Sequence, residues 1–255
     1  MVQKRINSLN KALDILGLFA ELGTPLNVKE ISNHIKLPES TVYRYISTLL
    51  KRDYIEYDPS SQKYCLGINL LRLSCVTANQ QEIYRIALPI MEELARKAGE
   101  TVLLTVRRGN DAVVLEVVLS GQSGIKLAMN RGDILPLYSC ALTRPLMAYL
   151  PDDEIDFILK ANPPRRFTDY TITDVQQIKA ELKKLRRQGY SHSDQEVTVG
   201  ARGLGAPIFN YAGTVIASMC LAGSIHYFTK SKIPTFVNLL LKATEQCSIK
   251  KGFKP

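Results

Sequence analysis

Tryptophan is absent from the 255 residues, histidine occurs three times and cysteine five times. Each scarcity excludes something. The cysteines, at positions 65, 75, 140, 220 and 247, show no CxxC spacing. An odd, unpatterned set argues against a zinc ribbon and a disulfide framework and fits a reducing compartment, so a cytoplasmic protein is expected. His34, His192 and His226 lie in three separate regions, which leaves no metal or catalytic constellation in view and no cofactor to expect. No apolar run reaches the ~18–20 residues of a membrane span, and the opening MVQKRINSLN lacks the apolar stretch of a secretory signal. Internal repeats and low-complexity tracts are missing as well.

What is present is a foldable core and an excess of positive charge. Apolar residues make up 45% of the chain, enough to bury a substantial interior and to argue against wholesale disorder. The net charge of +9 favours anionic partners such as nucleic acid, because neutralised phosphates release counterions. It is spread along the whole chain, however, and residues 1–66 hold a minority of the excess. A solvated basic surface is the commoner explanation of charge alone.

The first 66 residues carry a sharper signal. In SLNKALDILGLFAEL (8–22), Leu9, Ala12, Leu13, Leu16 and Phe19 recur at helical spacing, with Ser8 placed to cap the start and Gly23 to stop it. After Thr24-Pro25-Leu26, Asn27 and Glu30 have the spacing of a capping box, opening a short helix through Ile31 and Ile35. A turn at Lys36-Leu37-Pro38 leads into ESTVYRYISTLLKR, whose apolar stripe is Val42, Ile46, Leu49 and Leu50. The opposite face holds Ser40, Thr41, Tyr43, Arg44, Ser47 and Thr48. These are hydrogen-bonding side chains, not the Lys and Glu that solubility alone would favour. Two short helices of this kind read as a helix-turn-helix. YIEYDPSSQKYCLG (54–67) alternates around Asp-Pro-Ser-Ser as a β-hairpin, which completes a winged version. Tyr45 and Tyr54 belong in its small core.

Residues 67–80 continue as a helix with Ile68, Leu70, Leu71 and Leu73, too apolar for a loose tether. Beyond it the pattern turns to mixed α and β. A helix over 82–98 ends at Gly99. TVLLTVRRG and AVVLEVVLS form two strands around Gly109-Asn110-Asp111, and GIKLAM (124–129) adds a third. Helices are expected near 140–150, 152–161 and 174–188, strands at 202–209 and 214–222 around Tyr211-Ala212-Gly213, and a closing helix over 234–249. Hairpins outnumber βαβ crossovers, so the second part reads as an α+β domain with an antiparallel sheet. The expected division is 1–66, a winged helix-turn-helix; 67–80, a linker helix; and 81–255, the α/β domain.

Taken in order, SLNKALDIL, VKEISNHIKLPESTVYRYISTLLKRDYIE, YCLGINLLRL, LARKAGETVLLTVRRG, RGDILPLYSCAL, FTDYTITD and IKAELKKLRRQGYSHSDQEVTVGARGLGAPIFNYAGTVIASMCLAG resemble an IclR-family transcriptional regulator over nearly the whole chain. The resemblance implies a DNA-binding winged helix joined by a helix to a GAF-like effector-binding domain, in homodimers or homotetramers. The implied partners are a double-stranded DNA operator and a small organic acid, with no membrane. The helix starting near Glu39 then resembles the recognition helix that enters the major groove.

A recognition helix needs donors and acceptors against base edges, while phosphate contacts fix its position. Ser40, Thr41 and Tyr43 can reach bases or phosphates, and Thr48 shares their face. Arg44 can read guanine or clamp a phosphate, the latter favoured. Lys51, Arg52 and the wing residue Lys63 are candidate backbone contacts, and Glu39 can accept from a cytosine amino group or offset the helix dipole. The first helix and the linker helix have apolar surface to spare, which suits a dimer contact and an inverted-repeat operator.

In the family, the ligand sits on the concave face of the sheet, under a loop that here is residues 131–142. Its helix is expected to start near Ser139-Cys140, where free N–H groups suit a carboxylate. Carried over by resemblance, the pocket includes Leu127, Met129, Leu135, Cys140, Ala141, Leu142, Ser193, Asp194, Gly203, Cys220 and Ala222. The chain departs from the family pattern where members binding small oxo-acids have serines, since Cys220 and Ala222 stand there. Tyr138 replaces a frequent histidine, and Leu142-Thr143-Arg144, followed by Pro145, replaces a common Leu-Gly-Lys. A less polar wall implies an effector with an apolar or aromatic body and one acidic end. Arg202, in Gly200-Ala201-Arg202, resembles a family arginine and reads as an intradomain anchor. Asp194 and Glu196, two apart on an extended segment, share a face and read as pocket lip or solvated loop.

Two rival classes deserve weighing. An enzyme could use Cys140, its pKa lowered at a helix N-terminus, with His192 as base. Nothing in the sequence orients that pair, and the winged helix would go unexplained. A redox or metal sensor regulating transcription through Cys140 and Cys220 is chemically reasonable, but neither a ligand triad nor a resolving cysteine is visible. The favoured reading is a metabolite-responsive regulator, with the effector preferring one oligomer geometry and so setting the spacing of two recognition helices.

Overall fold

The computed structural model describes residues 7–80, 82–120 and 129–254. It divides into two compact units, Met1–Gln80 and Gln81–Pro255, so the helix between the winged motif and the α/β part falls with the first.

The first unit runs α1 (Asn7–Leu22), α2 (Val28–Ile35), α3 (Glu39–Leu50), β1 (Ile55–Asp58), β2 (Lys63–Leu66) and α4 (Ile68–Gln80). Gly23 stops α1 as its spacing suggests, at φ 64° with its N–H on the Phe19 carbonyl (3.0 Å). Ser8 does not cap α1, because the helix already begins at Asn7 and encloses it. The capping box of α2 is formed in both directions. Asn27 Oδ1 accepts from the Glu30 N–H (2.9 Å), and the Glu30 carboxylate accepts from the Asn27 N–H (2.7 Å). Lys36, in the left-handed region, ends α2, and the Ser32 hydroxyl donates to the Leu37 carbonyl (2.6 Å), shaping the turn into α3. Ile15, Phe19, Ile31, Val42, Ile46 and Ile55 form the core, with Tyr45 and Tyr54 packed against it. Each fully buried aliphatic side chain of this kind stabilises the unit by about 1.5–3 kcal/mol.

The start of α4 is fixed to the winged motif. Gly67 N–H donates to the Tyr54 carbonyl (2.9 Å) and Asn69 N–H to that of Asp53 (3.1 Å). Any side chain at Gly67 would overlap the Asp53 carbonyl, so glycine is required there.

The second unit contains α5 (Glu82–Ala98), β3 (Thr101–Arg108), β4 (Asp111–Val118), β5 (Ile134–Pro136), α6 (Arg144–Ala148), α7 (Asp152–Ala161), α8 (Val175–Gln188), β6 (Ser191–Asp194), β7 (Ala201–Phe209), β8 (Val215–Ser224) and α9 (Ile233–Lys250), with a 3-10 turn at Lys230–Lys232. Its sheet has the order β5-β4-β3-β8-β7-β6, every neighbouring pair antiparallel. The side-chain period of two sorts residues between its faces. Val102, Leu104, Leu204, Ala206, Met219 and Leu221 pack with α5 and α9 through Met91, Leu94, Phe236 and Leu240. On the other face lie a cluster involving α6, α7 and α8, around Tyr138, Met147, Ile158 and Leu182, and a smaller one of Leu103, Val114, Leu135, Cys140, Leu142 and Cys220.

Two local expectations need correction or placement, and one strand was not expected. The strand expected at 124–129 lies outside the described residues except for Met129, whereas β5 forms within the following loop by pairing with Asp111–Val113. The polar Ser191–Asp194 becomes an edge strand through its pairing with β7. The helix expected from Ser139-Cys140 begins only at Arg144 and runs five residues. Ser139 N–H bonds back to the Pro136 carbonyl (3.1 Å), and the Thr143 and Arg144 N–H groups both turn to the Cys140 carbonyl (3.2 and 3.1 Å), so residues 139–143 form turns.

Candidate functional site

The capping and packing just described hold α3 with its apolar side inward, which leaves Glu39, Ser40, Tyr43, Arg44 and Thr48 exposed and Thr41 half-buried. Tyr43 is 59% exposed, an aromatic side chain held out in solvent. The Ser47 and Thr48 hydroxyls both donate to the Arg44 carbonyl (3.0 Å each), so they are engaged with the helix itself. Lys51 and Arg52 are exposed just beyond α3. Lys63, on the wing, pairs with Glu30 (3.1 Å), the same carboxylate that caps α2. At the wing tip Asp58 accepts from the Ser60 N–H and from the Ser60 and Ser61 hydroxyls (2.9, 2.7 and 2.6 Å), which hold its pKa down at about 2. Leu9 and Leu13 on α1 and Ile68, Leu71 and Val76 on α4 are exposed apolar residues.

The second unit holds a half-open cavity of about 50 Å³ against the sheet face opposite α5 and α9. Seven residues read from the sequence meet there: Met129, Cys140, Leu142, Ser193, Gly203, Cys220 and Ala222. Leu127 lies outside the described residues. Leu135 packs with Cys140 and Leu142 in the adjoining apolar cluster and is not part of the wall. Ala141 turns toward β6 and β7: its carbonyl accepts from the Ser191 hydroxyl (2.7 Å) and lies so close over Gly205 that any side chain there would overlap it. Asp194 is not part of the wall; its carboxylate pairs with Arg202 (2.7 Å), which is.

Leu103, Val197, Thr198 and Ala201, which were not expected there, complete the wall together with Arg202 and with Glu196, read from the sequence as pocket lip or solvated loop. Leu103 reaches the wall because β3 pairs with β8 and sets it directly opposite Cys220, a long-range pairing that the sequence does not announce. Glu196 takes the first of its two readings. It is 6% exposed, not a solvated loop residue, and it does not share a partner or a face with Asp194, because Gln195 between them adopts φ 62° and redirects the chain. The Glu196 carboxylate is gripped at both oxygens by Arg144, through Nη1 at 3.1 Å and through Nη2. Arg144 is itself 1% exposed and also donates from Nε to the Tyr138 carbonyl (3.1 Å). Burial raises the Glu196 pKa while Arg144 pulls it down.

The remaining polar groups have defined places. Arg202 donates to the Phe228 carbonyl (2.6 Å) and to Asp194, the anchoring arrangement read from the sequence. Tyr138 is fully buried in the helical cluster; its hydroxyl donates to the Pro163 carbonyl (3.2 Å) and accepts from the Arg165 N–H (3.1 Å). The expected low pKa at Cys140 is overturned. Without a helix N-terminus beneath it, burial dominates and pushes the thiol up, and the Cys220 thiol is pushed well up by the same cause. His192 aligns with Leu204, on the sheet row opposite to the cavity, and burial lowers its pKa. The cysteine–histidine pair an enzyme would need is therefore not assembled.

Set against known proteins, residues 8–59 match the IclR helix-turn-helix domain, and residues 75–249 match the domain described as bacterial transcriptional regulator IclR C-terminal. The HTH-type transcriptional regulator KipR of Bacillus subtilis (strain 168) is 30% identical over 252 residues, 99% of this chain and 100% of its own length. The crystal structure of the Thermotoga maritima IclR is similar at a TM-score of 0.79 and 28% identity, covering 98% of this chain and 100% of that one. An IclR homolog from Microbacterium hydrocarbonoxydans, complexed with 4-hydroxybenzoate, shares the fold at a TM-score of 0.82 and 22% identity, over 95% of this chain and 98% of its own.

Proposed function

The chain belongs to the IclR family of bacterial transcriptional regulators, and from that premise we propose that a small organic acid with an apolar or aromatic body controls its DNA binding from the cavity of the second unit. The apolar wall is the observation that carries this. Leu103, Met129, Leu142, Val197 and Ala222 line the cavity, and neither Cys220 nor Ala222 offers a hydroxyl to a small oxo-acid. The 4-hydroxybenzoate bound by the Microbacterium homolog is an acid of this shape.

At the DNA end, Ser40, Thr41 and Tyr43 supply base or phosphate contacts and Arg44 the strongest single one, as a planar, permanently charged fork. Lys51, Arg52 and Lys63 neutralise backbone phosphates. The exposed leucines of α1 and the apolar residues of α4 pair two copies, which therefore read an inverted repeat. Effector binding favours one arrangement of the pair and changes operator affinity by linkage. The rival cysteine sensor meets two thiols that burial keeps protonated, whereas thiol sensing needs an accessible thiolate.

A thermal-shift screen of oxo-acids, sugar acids and aromatic carboxylates tests the proposal. A ligand that binds only the folded state raises the melting temperature in a dose-dependent way. The expected hits are aromatic or bulky acids, weakened in Cys220→Ser and active on operator affinity. Hits confined to small oxo-acids would overturn the apolar-body assignment. Hits that leave operator affinity unchanged would overturn control from the cavity.

A further inference from the structure

Arg144 is a fully buried cation behind the cavity wall, and the carboxylate that neutralises it, Glu196, is part of that wall. We propose, resting on the organic-acid reading above, that Glu196 is a self-supplied carboxylate occupying the anion subsite of the empty cavity, and that the effector's carboxylate takes its place on Arg144.

Charge is the first argument. A carboxylate brought into an apolar cavity needs a cation or several donors to offset lost hydration. Arg202, also a lining residue, engages both terminal nitrogens with Asp194 and the Phe228 carbonyl and keeps only Nε unpartnered among the described residues. The guanidinium that can offer a carboxylate two donors is Arg144, behind the wall, and the route to it runs through Glu196. Size is the second. The cavity holds about 50 Å³, whereas a cavity that admits benzene is roughly 150 Å³, so part of the wall must move for a ligand with an aromatic body.

The backbone shows which part moves. Residues 196–199 lie between two left-handed residues, Gln195 (φ 62°) and Gly200 (φ 81°). Gln195 closes the neck of this loop, its side chain accepting from the Gly200 N–H (2.9 Å) and its own N–H donating to the Ala201 carbonyl (2.7 Å). The Thr168 and Thr171 hydroxyls hold the carbonyls of Gln195 and Glu196 (2.7 and 2.6 Å). With the neck fixed, the Arg144–Glu196 pair is what draws the side chain of Glu196 inward, and Val197 and Thr198 follow it onto the wall. Exchange of the pair frees the Glu196 side chain to swing out of the wall, which enlarges the cavity, while the backbone of the loop stays held at the Glu196 and Thr198 carbonyls.

Burial raises the Glu196 pKa, the charges of Glu181 and Asp194 push the same way, and Arg144 is the charge that opposes them.

The test uses benzoate and the full-length protein, with affinity measured by calorimetry from pH 6 to 8 for the wild type and for Glu196→Gln. Gln keeps an oxygen for Arg144 but removes the competing charge. The expected result is a variant that binds benzoate at least tenfold more tightly than wild type at each pH, because no charged carboxylate competes for Arg144. Arg144→Gln combined with Glu196→Gln abolishes binding. Equal affinity in wild type and Glu196→Gln, or no binding to either, overturns the exchange. Should Glu196→Gln fail to fold, Glu196→Asp, whose shorter arm holds Arg144 less well, is expected to bind more tightly than wild type, and equal affinity there overturns it alone. An acid that shifts operator affinity without sensitivity to Glu196 would sink the exchange and leave the regulatory reading standing; benzoate exchange with no effect on operator affinity would do the reverse.

Discussion

Glu100, just before β3, is 2% exposed, and its carboxylate lies over Gly223 so closely that any side chain there would overlap it. Its Oε2 has no hydrogen-bond partner among the described residues. Burial pushes its pKa from 4.5 up to about 7, against the pull of Lys232, the charged group facing it from the 3-10 turn. The folded state therefore holds the proton more tightly than the unfolded chain. The stabilisation this supplies is complete below about pH 4.5 and is lost as pH rises through about 7. At about 1.4 kcal/mol per unit the whole effect is about 3 kcal/mol, of which roughly 2.5 kcal/mol falls between pH 5 and pH 8. Glu100→Gln, neutral at every pH, lacks this dependence. Its amide adds an unsatisfied donor, which costs about 1–3 kcal/mol at all pH values, so the diagnostic quantity is the change in stability difference with pH. Urea unfolding followed by far-UV circular dichroism at pH 5, 6, 7 and 8 gives that difference. Glu100→Gln should gain roughly 2–3 kcal/mol relative to wild type across the series. A difference constant within about 0.5 kcal/mol would refute the burial argument.

Asn27→Ala removes one half of the α2 capping box and loosens Glu30, at a cost of about 1 kcal/mol, readable as a lower melting temperature of the first unit; an unchanged value would contradict the cap's role. Gly205→Ala drives a methyl into the Ala141 carbonyl and should cost about 1–3 kcal/mol or more through forced backbone movement; a melting temperature within about 1 °C of wild type would show that the turn before α6 yields freely. In native protein, Ellman's reagent should modify exposed Cys75 quickly and Cys140, Cys220 and Cys247 only as the fold opens. Burial pushes the last of these up to about 12. Fast reaction at Cys140 and Cys220 would revive a thiol sensor.

The first unit was legible because its determinants are local. A capping box spans four residues, a helical stripe repeats every three or four, and Gly23 stops α1 through a neighbour four positions back. The hairpins β3–β4 and β7–β8 were legible for the same reason, being alternation around a short turn. The misses come from longer range. Ser191–Asp194 has no apolar alternation and is a strand because β7 supplies its partners. Residues 139–143 have helix-compatible composition, yet their N–H groups are drawn into turns and Arg144 is fixed by contacts to Tyr138 and Glu196. The Arg144–Glu196 pair itself joins residues 52 positions apart, a separation at which one sequence carries no pairing signal. Asp194 was carried to the cavity by the family resemblance, and it was read as sharing a face with Glu196 because period two was extended past Gln195, whose positive φ breaks it.

The central claim is that the outward face of α3 reads DNA sequence. The most direct measurement is selection of bound duplexes from a random pool by wild type and by the triple variant Ser40→Ala, Tyr43→Ala, Arg44→Ala, with affinities for the selected site followed against salt. The account predicts that wild type enriches an inverted repeat, and that the triple variant loses the motif while keeping weak, salt-sensitive binding through Lys51, Arg52 and Lys63. Enrichment of the same motif by both proteins would contradict it and place sequence readout elsewhere.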